Sequence, residues 1–381
     1  MTASSSSARI VGAAESPYAR RPGEGVTTTS LLADAFVRAL DAAGLSRDDV
    51  DGLGVASFTL GPDHAVDLAW RLGLSTRWLM EDPHGGVSGL NLLSHGVRAL
   101  EAGDAETIVL IAGDCFRGDD FPHLVARYNR ATADHLAPIP TGGPNAQFAL
   151  LTQEHSRRHG LTRADYGAVA IHQRRWASRN PLAVYREPLT LEEYLAAPIV
   201  ADPLGRYDCV PVVSGADALV LTRRQTARPG VQVRAIAASF NHDNQRGDGL
   251  TTGLASIVEK LWNTAGLGPE AIDLIAVYDD YPVMVLTQLA ELGFAPSGDV
   301  QRLVRERISA GGWPLNTSGG QLSCGQAGTA GGMHGLVEAA TQLLGRAGDR
   351  QVAARRALVS GYGMVLYRYG ACAAAAVLEA A

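Results

Sequence analysis

The reactive side chains of this chain collect in a few glycine-rich loops. Residues 315–332, "LNTSGGQLSCGQAGTAGG", bring the thiol of Cys324 and the amide of Gln326 together with closely spaced glycines, and a helix follows. Glycines 325, 328, 331 and 332 allow a backbone to approach a ligand, and the free N–H groups of a helix start can hold an oxyanion. A second such turn, Gly85–Gly86 with Ser88 behind it, opens another helix. "YDDY" sets Tyr278, Asp279, Asp280 and Tyr281 side by side, "SGYG" carries Ser360 and Tyr362, and His84 and His334 flank the glycine turns. In an apolar pocket a phenol or imidazole can exchange a proton with a hydroxyl group, or hold a developing oxyanion. Gln326 can donate a hydrogen bond to a carbonyl but cannot titrate. Each His or Tyr could equally be a satisfied core residue.

Other chemistries are weaker. His155 and His159 share a helix face, but "HSRRH" lacks the glutamate of a zinc protease motif and reads as a solvated surface. The four cysteines are scattered with no CxxC pair, so neither a zinc site nor a disulfide framework is expected, and a reducing, cytoplasmic compartment fits. Lys260 is the only lysine, which confines Schiff-base chemistry to that residue. "GLGVAS" and "GYGMVL" miss the dinucleotide fingerprint. No metal and no tightly bound cofactor are expected.

The elements that position these loops occur twice. "FVRALDAAGLSRDDVDGLGVAS" from residue 36 and "IVEKLWNTAGLGPEAIDLIAVYD" from residue 257 align with a shift of 222, which places Gly44 on Gly266 and Val55 on Val277. Each copy reads as an amphipathic helix ended by glycine, then a turn and a buried strand. A second pair begins at Gly85 and Gly331, each a glycine turn, a helix, and a buried strand. Strands alternating with helices, in duplicate, imply a pseudo-symmetric α/β molecule. The expected division is a disordered tail at 1–7, a first half at 8–225 carrying a loop insertion at about 116–215, and a second half at 230–381. The insertion has no counterpart in the second half and is a natural substrate-binding element.

With 381 residues, 46% hydrophobic, the chain can bury a large double core. A net charge of -6 gives no case for nucleic acid, and no apolar run approaches a membrane helix, so membrane insertion is not expected.

This plan resembles the thiolase superfamily, and within it the lipid-transfer-protein-like (SCP2-thiolase-like) branch. The likeness covers nearly the whole chain. It rests on "GGVSGLNLLSHGVRALEAGDAETIVLIAGD", "NPLAVYREPLTLEEYLAAPIVADPLGRYDCVPV", "VYDDYPVMVLTQLAELGF" and "LNTSGGQLSCGQAGTAGG". The resemblance implies duplicated βαβαβαββ halves in a five-layered αβαβα fold, a homodimer across the first half's strands, and a site where two helix N-termini meet. It also places Gly86 where thiolases carry the nucleophilic cysteine, and Gln326 where their loop has histidine. Ser360 stands in place of the second cysteine, and Tyr278 and Asp279 in place of an asparagine–glutamate pair. Conventional thiolysis is therefore not expected, since it needs a thiolate and an acid/base partner.

What remains resembles an acyl-CoA site. Tyr278, Asp279, His84, Gln326 and His334 are the candidate catalytic residues. Gly86, Ser88, Tyr281, Gly325, Cys324, Ser360 and Tyr362 are candidates for substrate binding. Arg174 and Arg175 could meet coenzyme A phosphates, or simply form salt bridges on a surface helix. The leading reading is an aldolase-type enzyme acting on a coenzyme A thioester without an acyl-enzyme. Relatives of that type rely on tyrosines, one of them in the loop where this chain has Gln326. Two others remain: a non-catalytic thiolase-like subunit working with a small OB-fold, zinc-ribbon (DUF35-type) partner, and an atypical acyltransferase with Cys324 as nucleophile.

Overall fold

Helix and strand periods alternate along the chain, and a computed structural model shows what they build. It describes residues 8–381 except 63, 131, 137, 140–142, 227–228, 245 and 366–369. The expected disordered tail at 1–7 lies outside the described residues. The strands are β1 (Arg9–Glu15), β2 (Gly52–Ala56), β3 (Trp78–Glu81), β4 (Thr107–Asp114), β5 (Ile199–Ala201), β6 (Leu204–Gly205), β7 (Gly215–Thr222), β8 (Val231–Phe240), β9 (Leu274–Val277), β10 (Arg356–Gly363) and β11 (Cys372–Ala380). The helices are α1 (Thr28–Ala43), α2 (His64–Arg71), α3 (Ser88–Ala102), α4 (Asp120–Ala126), α5 (Pro144–His159), α6 (Arg163–Ala177), α7 (Leu191–Ala196), α8 (Leu254–Ala265), α9 (Pro282–Glu291), α10 (Val300–Leu303), α11 (Gly320–Cys324) and α12 (Gly331–Leu343).

Local chemistry sets the repeated elements. Helix α1 starts at a reciprocal cap, with Ser30 N donating to Thr27 Oγ1 at 3.1 Å and Thr27 N donating to Ser30 Oγ at 2.9 Å. Leu32, Phe36 and Leu40 then recur at helical spacing on its buried face. It ends at Gly44, and its counterpart α8 ends at Gly266, both left-handed with φ 69° and 65°.

Nine strands form one mixed sheet in the order β3-β2-β4-β7-β1-β8-β11-β10-β9. Its centre is the antiparallel pair β1–β8, joined through Arg9–Gln232 and Ile10–Val231. Read outward from that pair, β1-β7-β4-β2 mirrors β8-β11-β10-β9, the pseudo-twofold that the repeats imply. The halves are unequal, however. The first has β3 as a fifth strand, parallel to β2, whereas beside β9 that strand shrinks to a parallel bridge between Ile275 and Leu315. The second βαβαβαββ unit is therefore one strand short, because the "PLNTS" segment leaves the sheet after a single residue.

Three cores separate the layers. One packs α1 and α2 on the outer face of the first half, including Val11, Leu53 and Val109. A central core packs α3 and α12 between the inner faces, with Leu92, Leu110, Met333 and Val359. The third packs α8, α9 and the insertion helices α5 and α6 on the outer face of the second half. Helix, the first half's strands, paired helices, the second half's strands, helix: these are the five layers, with the one sheet supplying two of them. Between β4 and β7 the chain folds as α4 to α7 and the β5–β6 ribbon. His155 is buried there rather than solvated, its Nδ1 2.9 Å from Tyr166 Oη across the α5–α6 hairpin. Burial drops its pKa to about 3.

Candidate active site

Two helix starts meet at the pseudo-twofold. A short 3-10 turn at Gly85–Val87 leads into α3, and a second at Gly328–Ala330 leads into α12. Gly85 and Gly328 are both left-handed, with φ 60° and 58°. These two are the structural equivalents. The sequence pairing of Gly85 with Gly331 is thus three residues out of register, because the glycine turn of the second half begins one 3-10 turn earlier. The backbones touch closely: a Cβ on Gly89 would lie 2.4 Å from the Gly332 carbonyl oxygen, and one on Gly332 would lie 2.5 Å from that of Gly85.

Two buried aspartates hold this junction. Asp114, at the end of β4, accepts from Phe58 N at 2.7 Å, Thr59 N at 2.8 Å and Thr329 N at 2.8 Å, so one carboxylate ties a loop of the first half to the turn of the second. Asp82 accepts from Ser88 Oγ at 2.6 Å and from Asn91 Nδ2 at the start of α3, where a negative charge also suits the helix dipole.

A cavity of about 660 Å³ opens above the junction. Its floor is Gly85, Gly86, Tyr278, Gln326, Gly328 and Tyr362, and Asp280 and Tyr281 stand at its side. The insertion supplies an apolar wall through Phe121, Leu124, Val125, Leu136, Ile139 and Phe148. At Gly86 the space that a side chain would enter is already filled: a Cβ there would come within 2.1 Å of the Tyr362 carbonyl oxygen and 2.6 Å of Tyr278 Cε2.

The phenols are arranged with distinct partners. Gln326 Nε2 donates to Tyr278 Oη at 2.6 Å, which leaves the Tyr278 proton to point at a ligand. Tyr362 donates to Asp280 Oδ1, and Tyr281 donates to Asn145 Oδ1 at 2.7 Å. The rings of Tyr278 and Tyr362 stand edge to face with centroids 5.0 Å apart. Burial lifts both phenols well above their ordinary pKa, with Asp280 adding to the rise. Burial also raises the Asp280 carboxyl to about 8; the Tyr362 hydrogen bond works against that rise and Asp279 reinforces it.

A family model described as Thiolase C-terminal domain-like matches residues 235–378. A 17-hydroxy-3-oxo-4-pregnene-20-carboxyl-CoA lyase of Mycobacterium tuberculosis is 30% identical over 364 residues, covering 90% of this chain and 92% of that protein. The chain belongs to the thiolase superfamily, in its SCP2-thiolase-like branch. A steroid side-chain-cleaving aldolase of Thermomonospora curvata is 27% identical, covering 89% of this chain and 90% of that one. The solved structure of an Ltp2–ChsH2(DUF35) aldolase has the same fold, with TM-score 0.83, 24% identity and 98% of each chain covered.

Within this thiolase-like frame, Gly86, Tyr278, Tyr281, Gln326 and Tyr362 line the cavity together. The other candidate residues sit elsewhere. Asp279 points away and caps α11, accepting from Gln321 N at 2.9 Å and Leu322 N at 3.1 Å, with burial raising its pKa to about 7. His84 is turned to Asp82, Nδ1 to Oδ2 3.0 Å. His334 lies in a separate buried group, its Nε2 2.8 Å from Ser318 Oγ and its Nδ1 3.5 Å from Glu15 and 3.7 Å from Asp217. Those three acid and imidazole groups come within 4.8 Å of one another. Burial opposes a charge on His334, but its interactions with Asp217, Cys324 and Glu15 raise its pKa well above the ordinary value, while burial raises Glu15 to about 7 and lifts Asp217 as well.

Ser88 serves Asp82, and Ser360 donates to Gln288 Oε1 at 2.9 Å. Cys324 is 2% exposed, donates to the Ser318 carbonyl at 3.1 Å, and has its pKa raised by burial, an inert thiol. Gly325 packs on Val213. Arg174 is buried over Tyr185 and Tyr207 and bonded to Ser323, while Arg175 is exposed. Neither arginine lines the cavity.

Sequence reading did not select Asp114, which looked like the end of a strand, or the apolar wall, whose residues are far apart along the insertion. Asp280 was among the titratable groups of "YDDY", and the signal that separates it from Asp279 is strand alternation past β9.

Proposed function

We propose that this chain is a carbon–carbon lyase of aldolase type, which splits a β-hydroxyacyl thioester of coenzyme A into a ketone or aldehyde and a shortened thioester, without an acyl-enzyme. The carrying observation is at Gly86: the room for a nucleophile's side chain is taken by the Tyr278 ring and the Tyr362 carbonyl. With no attacking sulfur, the junction still offers donors. Tyr278, its hydroxyl oxygen bonded by Gln326, is set to donate to the thioester oxygen as negative charge builds there in the enolate. The apolar wall excludes water, which strengthens that hydrogen bond and suits a bulky hydrophobic acyl part.

The relatives support the same reaction class, since two are a CoA lyase and a side-chain-cleaving aldolase. Cys324 does not favour an acyltransferase, being buried off the cavity.

For assembly we infer a homodimer across the edge strand β3, where Leu79 and the neighbouring Trp70 of α2 are exposed at 38% and 75%. A DUF35-type companion is proposed from the fold match to a complex of that kind. Among the described residues no helix is long and apolar enough to cross a membrane, and the four free cysteines suit a reducing compartment such as the cytoplasm. The test is to mix the purified protein, alone and with its companion, with a β-hydroxyacyl-CoA that bears a tertiary hydroxyl. A carbonyl product together with the shortened thioester is expected. Binding without release under either condition would leave a non-catalytic subunit.

A further inference from the structure

The lyase reading leaves open which group removes the proton of the β-hydroxyl. Resting on that reading, we propose that Tyr362 and Asp280 together are the base: Tyr362 Oη takes the substrate's hydroxyl proton while handing its own proton to Asp280. Among the described residues, the titratable groups on the cavity wall are Tyr128, Cys209, Tyr278, Asp280, Tyr281 and Tyr362. Burial pushes Tyr128 and the Cys209 thiol up to about 12, and neither is bonded to a carboxylate of the described residues that could take its proton, as Tyr362 is to Asp280. Tyr281 is committed to Asn145, and Tyr278 already accepts from Gln326 and is left as a donor. Gln326 carries no exchangeable charge. His84 and His334 lie off the cavity. Asp280 is the one carboxyl among the described lining residues, and Tyr362 is bonded directly to it.

The environment suits a base at neutral to mildly alkaline pH. Asp280 is 8% exposed and Tyr362 1%. Among the described residues, the groups that face Asp280 are Tyr362 from β10, Tyr278, Asp279 and Tyr281 from its own loop, and Tyr128 and Cys209 from the insertion, and none of these is a cation. With no positive partner among the described residues, the carboxylate keeps its affinity for a proton, which is what an efficient general base near its working pH requires. Tyr362 and Tyr278 stand edge to face, so one hydroxyl can receive a proton while the other donates to the thioester oxygen.

The step balances. As Tyr362 takes the hydroxyl proton, the O–H pair becomes the second bond of the new carbonyl. The Cα–Cβ pair moves onto Cα as the enolate, whose oxygen is held by Tyr278. The proton parked on Asp280 then returns through Tyr362 to Cα. One carbon–carbon bond is lost, one carbon–hydrogen bond is gained, and nothing is oxidised or reduced. Tyr362 is the catalytic residue, and Asp280 acts through it.

Asp280→Asn, Asp280→Glu and Tyr362→Phe are compared with wild type on the same β-hydroxyacyl-CoA across pH 6–10. For wild type, kcat/KM should rise with an apparent pKa near 8. Asp280→Asn and Tyr362→Phe should each lower kcat by about 10²–10⁴-fold and lose that rise, with little change in KM, and Asp280→Glu should recover part of it. An Asp280→Asn enzyme within about threefold of wild type, or one that keeps the same rise, overturns the relay but not the lyase. If wild type releases no carbonyl product, the lyase reading itself fails. The pair is then still tested by ¹³C carboxyl NMR, where a titration near 8 that vanishes in Asp280→Asn and shifts in Tyr362→Phe supports it, and an Asp280 carboxyl titrating below about 5 refutes it.

Discussion

Replacing Gly86 by cysteine puts back the sulfur that this frame has lost, and the structure predicts that it restores nothing. The new Cβ would sit 2.1 Å from the Tyr362 carbonyl oxygen and 2.6 and 2.7 Å from Cε2 and Cζ of Tyr278. Ordinary contacts need roughly 3.5–4 Å, so about 1 Å must be found. The Tyr362 carbonyl belongs to β10, which is paired with β11 through Tyr362–Ala373, so the Gly86 turn must back away from it and the Tyr278 ring must shift as well. Overpacking of this kind costs about 1–3 kcal/mol. A displacement of about 1 Å in a group that must meet the thioester oxygen costs on the order of 10²-fold in rate. Gly86→Cys should therefore unfold a few degrees lower and cleave a β-hydroxyacyl-CoA about 10²-fold more slowly. It should also give no thiolysis, because Gln326 cannot act as acid or base and Ser360 is engaged with Gln288. Thermal unfolding, product release and acyl transfer to free coenzyme A measure the three effects. Undiminished cleavage, or transfer of an acyl group through the introduced thiol, would refute the reasoning.

Tyr278→Phe removes the oxyanion donor and should lower kcat by about 10²–10³-fold while KM moves little, read by steady-state kinetics. Asp280→Asn should stabilise the fold at alkaline pH. The folded carboxyl holds its proton up to about 8 whereas the unfolded chain releases it near 3.9, so wild-type stability falls as pH rises through that window. The variant should gain on the order of a few kcal/mol at pH 8.5 and nothing at pH 4, as measured by thermal melts at both pH values. Leu79→Lys on β3 places a charge on the exposed edge and should yield a monomer by light scattering, with the melting temperature of the monomer reporting any loss of fold.

Much of the architecture was legible because it is written in short-range physics. The helices α1 and α8 carry their apolar stripe and their terminal glycine in the sequence, and the repeat of both announces the pseudo-twofold. The missing fifth strand was not legible, since Leu315 looks as apolar as a strand residue, and only its neighbours decide that it forms a single bridge. The glycine turns were found but misaligned, because a 3-10 turn before α12 adds residues that no hydrophobic period marks.

The same division holds at the site. Proximity in sequence suggested Asp279, His84 and His334, yet each points to its own buried partner. A polypeptide alternates its side chains as it leaves a strand, so Tyr278 and Asp280 face the cavity and Asp279 faces α11. By its chemistry Gln326 can only orient, and what it orients in the structure is the Tyr278 hydroxyl. The apolar wall depends on how α4 and α5 fold back over the junction, a long-range arrangement with no local signature.

The proposed lyase stands on a cavity that breaks a carbon–carbon bond with no covalent link to the protein. Rapid-quench mass spectrometry of the enzyme during turnover of a β-hydroxyacyl-CoA reports both sides at once. A carbonyl product and a shortened thioester should accumulate while the intact protein mass stays unchanged at every time point. A protein that gains the mass of the acyl group before product appears would overturn the proposal.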